Sequence, residues 1–160
     1  MEIRPYNSSD ADTILSWCGD EKAFYRWTAG VMGEYPITSK EFSFVEAMDA
    51  FTAVEDDKPI GFFTLRRPDE SVNVLRIGFV IVDPALRGKG LGKQMMKLGL
   101  DHAVNDMKAD AVTLGVFENN LPAYYCYKAA GFHDVKLEQA ETYKVLGEEW
   151  ACKEMRYEKG

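Results

Sequence analysis

Apolar and polar positions change their period several times along the chain, and each change marks an element. Glu2 to Tyr6 alternates as a short strand, and Ser8 or Ser9 stands where a helix cap belongs, ahead of Ile14, Leu15 and Trp17. Between Asp20 and Glu46 the spacing predicts one or two further helical pieces, broken around Gly30, Gly33 and Pro36. Phe51 to Glu55 begins a run of strands; Asp57-Lys58 makes a turn, and Ile60 to Leu65 returns as the second arm of a hairpin. Val72 to Val82 is a longer strand rich in β-branched residues, with Gly78 inside it at a position suited to a bulge or splay. Leu91, Met95, Leu98 and His102 then recur at helical spacing over 91–104. Ala111 to Phe117 reads as a strand, Leu121 to Ala130 as a helix, and the tail from Phe132 alternates as antiparallel strands through Met155 and Tyr157. Strands first, then β-α-β-α-β, predict a mixed sheet with helices on both faces, an α/β (α+β) arrangement. No repeat, low-complexity stretch or linker interrupts the pattern, so residues 1–160 are expected to form a single domain.

Composition narrows the class. A chain of 160 residues with 46% hydrophobic and 12% aromatic content can bury a substantial core. The opening MEIRPYNSSD is too polar for a signal peptide, and no apolar run is long enough to span a bilayer, so no membrane role is expected. Cys18, Cys126 and Cys152 share no metal-like spacing and read as reduced thiols of a cytoplasmic protein. The net charge of −7, from 26 acidic and 19 basic residues, argues against a nucleic-acid partner and leans towards cationic ligands. An anionic cofactor would therefore need a locally basic site.

One such place exists. The strand ending Val80-Ile81-Val82-Asp83-Pro84 leads into Arg87-Gly88-Lys89-Gly90-Leu91-Gly92-Lys93, a glycine-rich turn that opens a helix. Such a turn brings backbone N–H groups close to an anion, the helix N-terminus adds favourable partial charge, and Arg87, Lys89 and Lys93 supply local basicity. A phosphate group is the natural guest. The turn lacks the Lys-Ser or Lys-Thr pair of a nucleoside-triphosphate loop, since Gly92-Lys93-Gln94 has no hydroxyl, and its glycine spacing fails the dinucleotide fingerprint.

Arg87-Gly88-Lys89-Gly90-Leu91-Gly92 resembles the R-x-x-G-x-G signature by which acetyltransferases of the GNAT family hold the pyrophosphate of coenzyme A. About thirty residues on, Asn120-Leu121-Pro122-Ala123-Tyr124-Tyr125-Cys126-Tyr127-Lys128-Ala129-Ala130-Gly131-Phe132 resembles that family's second motif, N-x-x-A-x-x-x-Y-x-x-x-G-F. The resemblance covers roughly Leu75 to Val135. It implies a mixed, mostly antiparallel central sheet flanked by helices, and an acetyl-CoA-dependent N-acetyltransferase working by direct transfer to an amine in a ternary complex. Backbone groups of Val80, Ile81 and Val82 would then pair with the pantetheine arm. Amides from Gly88, Lys89, Gly90, Leu91, Gly92 and Lys93 would wrap the pyrophosphate beside Arg87. Asn120 would contact the cofactor near the pantetheine, and Tyr127 would sit beside the thioester sulfur. A homodimer is common among such proteins.

The chemistry supports the tyrosine on its own terms: a phenol with pKa near ~10 is protonated at neutral pH and can donate to a departing thiolate. Asn120 can also be read as a helix cap, Tyr127 as core, and Gly131-Phe132 as a helix stop followed by a core aromatic. A bulge at Gly78 would free a strand N–H to polarise the thioester carbonyl. Gly115 stands where ribosomal-protein alanine acetyltransferases, relatives with a similar core, carry a glutamate base, which leaves Glu118, Glu34, a water relay or a weakly basic substrate to serve. An amine of pKa near ~8 is about a tenth neutral at pH 7, whereas one near ~10.4 is neutral in under ~0.1%. Cys126 beside Tyr127 invites an acyl-cysteine route, but neither His102 nor His133 falls where it would serve as its partner. The competing class is an acyl-CoA sensor that keeps the cleft without turnover.

Overall fold

Eight strands and five α-helices build the protein in the computed structural model, which describes residues 1–160. The strands are β1 (Glu2–Pro5), β2 (Asp49–Glu55), β3 (Lys58–Arg66), β4 (Val74–Val82), β5 (Ala111–Phe117), β6 (His133–Val135), β7 (Glu141–Val145) and β8 (Glu148–Glu158). They form one sheet in the order β1-β2-β3-β4-β5-β8-β6, with β7 also paired to β8. Only β4 and β5 run parallel, so the sheet is mixed and mostly antiparallel, as expected.

The helices are α1 (Ala11–Ser16), α2 (Glu21–Thr28), α3 (Ser39–Phe42), α4 (Leu91–Asp101) and α5 (Leu121–Ala130). Alternation along the strands sends their side chains to two cores. On β3, Phe62 joins a cluster with Ile14, Phe24, Trp27 and Phe42 of α1, α2 and α3. Its neighbours Phe63 and Leu65 join another with Met95, Met96 and Leu100 of α4. Both faces of the sheet are therefore covered by helices.

Three local readings change. The cap of the first helical segment is Asn7, whose side chain accepts from the Ser9 amide, because a 3-10 turn over Ser8–Asp10 precedes α1. The first hairpin turn falls at Asp56 and Asp57, one residue earlier than expected, both with positive φ. The buried stripe of α4 runs through Leu91, Met95, Met96, Gly99 and Leu100. Leu98 is only half-buried, and His102 begins a π-helical turn to Asp106, where its Nδ1 lies 2.8 Å from the Asp106 carboxylate.

The feature that shapes the molecule lies in β4. Its partnership with β5 covers only Val74↔Ala111, Leu75↔Val112 and Arg76↔Thr113, after which the two strands splay. Against β3 the register runs through Thr64↔Gly78 and resumes at Phe62↔Ile81, so Phe79 and Val80 share one facing residue. The bulge expected at Gly78 is therefore centred one residue on, at Phe79, which takes a left-handed φ of 49°. A side chain in that conformation costs of order 1–3 kcal/mol. Two contacts hold it: the Trp27 indole N–H donates to the Phe79 carbonyl at 2.8 Å, and the Thr64 hydroxyl to the Gly78 carbonyl at 3.2 Å.

Candidate functional site

The splay opens a cleft of about 760 Å³ between β4 and β5. One wall is the β4 edge from Ile77 to Val82, where β5 no longer pairs. The floor at one end is the turn between β4 and α4. Gly88 and Gly90 both adopt left-handed φ there, 82° and 72°, which a residue with a Cβ seldom tolerates. Helix α4 has no side-chain cap, and its first internal bond runs from the Gln94 amide to the Gly90 carbonyl. The amides of residues 91–93 are thus the unpaired donors of a helix N-terminus, facing the cleft beside Arg87 and Lys93.

Helix α5 forms another wall. It starts with Pro122 in its first turn and ends in a full C-cap: Gly131 at φ 112°, its amide on the Lys128 carbonyl and the Phe132 amide on the Tyr127 carbonyl, both 3.0 Å. Phe132 is buried and meets the Tyr127 ring edge-on at 6.2 Å. The glycine-phenylalanine stop is structural, and one thing it secures is the pose of Tyr127. That side chain is 7% exposed; burial pushes its pKa up, so the phenol stays protonated, and its hydroxyl has no hydrogen-bond partner in the protein.

Asn120 occupies the N-cap position without capping: its side chain makes no cap hydrogen bond, and it lines the cleft. The β5–α5 loop that carries it is held by Arg26 of α2, whose Nη2 donates to the Asn119 carbonyl at 3.0 Å. Cys126 meets α4 where Gly92 leaves room; a Cβ on Gly92 would lie 3.1 Å from its sulfur. Burial raises the Cys126 pKa against the pull of Lys93, and burial likewise pushes Cys18 and Cys152 up to about 11. None is poised as a thiolate, and neither His102 nor His133 lines the cleft.

Of the residues expected at the site, Val80, Ile81, Val82, Arg87, Gly88, Gly90, Leu91, Gly92, Lys93, Asn120 and Tyr127 come together in this one cleft. Lys89 does not line it; exposed between two left-handed glycines, it points to solvent. Glu118 and Glu34, the carboxylates named in place of the missing base, are exposed and also lie off the cleft. At position 115 the space a larger residue would fill is taken by Arg76, whose Nη2 would stand 3.0 Å from a Cβ there. Sequence reasoning missed Trp27, Arg26, Arg66 and Arg76, all of which line the cleft. Arg76 did leave a signal, as the lone charge in the apolar run Val74 to Val82.

Residues 13–132 match the family model described as the acetyltransferase (GNAT) family. The mycothiol acetyltransferase of Thermomonospora curvata is 40% identical over 83 residues, which cover 51% of this chain and 27% of that protein. The spermine/spermidine N(1)-acetyltransferase of Bacillus subtilis is 39% identical over 51 residues, or 32% of this chain and 34% of that one. The chain thus spans about a third or less of these curated relatives. Among solved structures, spermidine N-acetyltransferase from Vibrio cholerae in complex with CoA and spermine superposes with a TM-score of 0.80 at 18% identity, over 98% of this chain and 94% of that one.

Proposed function

The chain belongs to the GNAT family of acetyltransferases, and from that premise we propose that it transfers the acetyl group of acetyl-CoA directly to an amine. The observation that carries this reading is the splayed cleft itself, with an uncapped helix N-terminus at one end and a buried, protonated phenol on its wall. The open β4 edge over Val80, Ile81 and Val82 suits the amides of a pantetheine arm. Free amides at residues 91–93 with Arg87 and Lys93 suit a pyrophosphate. Tyr127 donates its phenolic proton to the departing thiolate, while Asn120 orients the cofactor.

Residues 1–160 act here as one catalytic domain. The same reading extends to a cytoplasmic setting and a homodimer. Three unpaired cysteines support the first, and the habit of the family supports the second. No helix is long and apolar enough to cross a membrane.

The test is CoA release from acetyl-CoA over a panel of amines and short peptides, with products confirmed by mass spectrometry. Tyr127→Phe should lower kcat by roughly 10²-fold or more, and Arg87→Ala should raise the KM for acetyl-CoA. Acetyl-CoA binding without turnover on any acceptor would favour the sensor reading, for which the absent carboxylate at Gly115 is the motivating observation. No binding of acetyl-CoA would overturn both.

A further inference from the structure

The cleft is charged with one sign. Arg26, Arg66, Arg76, Arg87 and Lys93 line it, and no aspartate or glutamate does, although the chain carries a net −7. Arg87 and Lys93 stand at the glycine-rich end, where a pyrophosphate has use for them. Arg66 and Arg76 do not. Arg76 lies six positions before Val82 on β4, roughly 20 Å away at ~3.3 Å per residue, beyond the bulge and at the end left for the acceptor.

These two arginines are directly opposed across β3 and β4. Like charges so placed repel and destabilise a sheet unless something offsets them. Glu154 on β8 offsets one: both its oxygens accept from Arg76 Nη1, at 2.9 and 3.1 Å, and the Thr113 hydroxyl meets the same nitrogen at 3.2 Å. Glu154 itself does not line the cleft. All the protein hydrogen bonds of the Arg76 guanidinium fall on Nη1, so Nη2 and Nε–H are left without a protein acceptor. Gly115 leaves the space that Nη2 occupies. The two guanidinium groups line the cleft itself, whereas the nearby carboxylates, Glu154 on Arg76 and Glu141 under the Tyr143 hydroxyl, stand behind the lining. Elsewhere on the lining, beside the Asn119 carbonyl, Arg26 has a further unused donor: its Nε is the one buried side-chain polar atom of the protein without a partner.

From these features we infer that the amine acceptor carries an anionic group, a carboxylate on an amino-acid-like molecule, which Arg66 and Arg76 recognise. This rests on the acetyltransferase reading for the identity of the ligand as an acceptor. A polycation would bring several positive charges to a wall that holds none of the carboxylates needed to receive them, and desolvating them there would be costly. A carboxylate instead completes the donors left open on Arg76 and offsets the Arg66–Arg76 repulsion.

The test sets each of the common L-amino acids against its own amide, with spermidine as a cationic control, using the full chain. Turnover is read as CoA release, and binding as the thermal upshift each compound gives the CoA-bound protein. At least one free acid should exceed its amide tenfold or more in kcat/KM and give the larger upshift. Arg66→Gln, an exposed site whose change spares the fold, should shrink that acid-to-amide ratio at least tenfold, mainly through KM of the acid. Arg76→Gln should do the same, with Arg76→Lys restoring part of the ratio. The inference is overturned if amides or spermidine match or exceed the acids in both readouts, or if the ratio survives Arg66→Gln. An acid-selective upshift without acetyl transfer to anything would sustain the anion site while removing the acetyltransferase reading.

Discussion

Asp10 is 3% exposed and sits under β2, yet its surroundings are built for a charged carboxylate. Arg4 grips it with two nitrogens at 2.8 Å each, the Asn7 amide donates at 3.1 Å and the Thr52 hydroxyl at 2.9 Å. Burial alone would raise its pKa; these bonds outweigh burial and hold it below the ordinary aspartate value. A carboxylate depressed in this way contributes stability that is complete above its unfolded pKa, near ~3.9, and lost as pH falls through the folded value. Urea unfolding should therefore show stability falling below about pH 4. Asp10→Asn should cost about 2 kcal/mol at pH 7 and flatten that acid limb. An unchanged limb in the variant would mean that other carboxylates carry it. Nothing in the sequence marked Asp10, since its partners Arg4 and Thr52 come from two strands whose pairing no local pattern reveals.

Helix α4 shows how tightly an element can be seated. Gly99 lies in its last turn, ahead of the π-helical continuation, where glycine is still a poor helix former, and a Cβ there would stand 3.1 and 3.2 Å from two atoms of the Phe63 ring and 3.5 Å from Ile77. Both neighbours are buried and cannot yield. Gly99→Ala gains about 1 kcal/mol in helix propensity but overpacks the core by about 1–3 kcal/mol. A net loss should appear as a lower urea midpoint, whereas a rise would mean that the helix floats free of the sheet. The elements legible in the sequence are those with a clear period and firm stops. β5 and α5 begin and end where expected because alternation, Pro122 and Gly131 all agree. The segment before β2 was less legible because α1 and α3 are under two turns long and owe their shape to the aromatic cluster around Phe62. The bulge moved from Gly78 to Phe79 for the same reason: tertiary contacts, above all Trp27, outweigh the local preference of glycine.

At the scale of the whole molecule, the cleft is where a sheet with two covered faces fails to stay paired. Its two halves were unequally visible. The turn at residues 87–93 and the stretch from Asn120 to Phe132 are contiguous, so their spacing could be read directly. The opposite end gathers Arg66, Arg76, Gly115 and Cys152 from β3, β4, β5 and β8, which no local pattern connects. The overall charge says little of the cleft, because the carboxylates that produce it lie outside its lining. The bond that holds the bulge carries one more consequence, an optical one. Of three tryptophans, Trp17 and Trp27 line the cleft, while Trp150 stands behind the lining residue Phe117. With its ring at the wall and its N–H fixed on Phe79, Trp27 should report any occupant through the polarity around its excited state. Titration with coenzyme A should change the intrinsic emission, and Trp27→Phe should diminish that change, leaving the share of Trp17, so the protein carries its own label-free gauge of cleft occupancy.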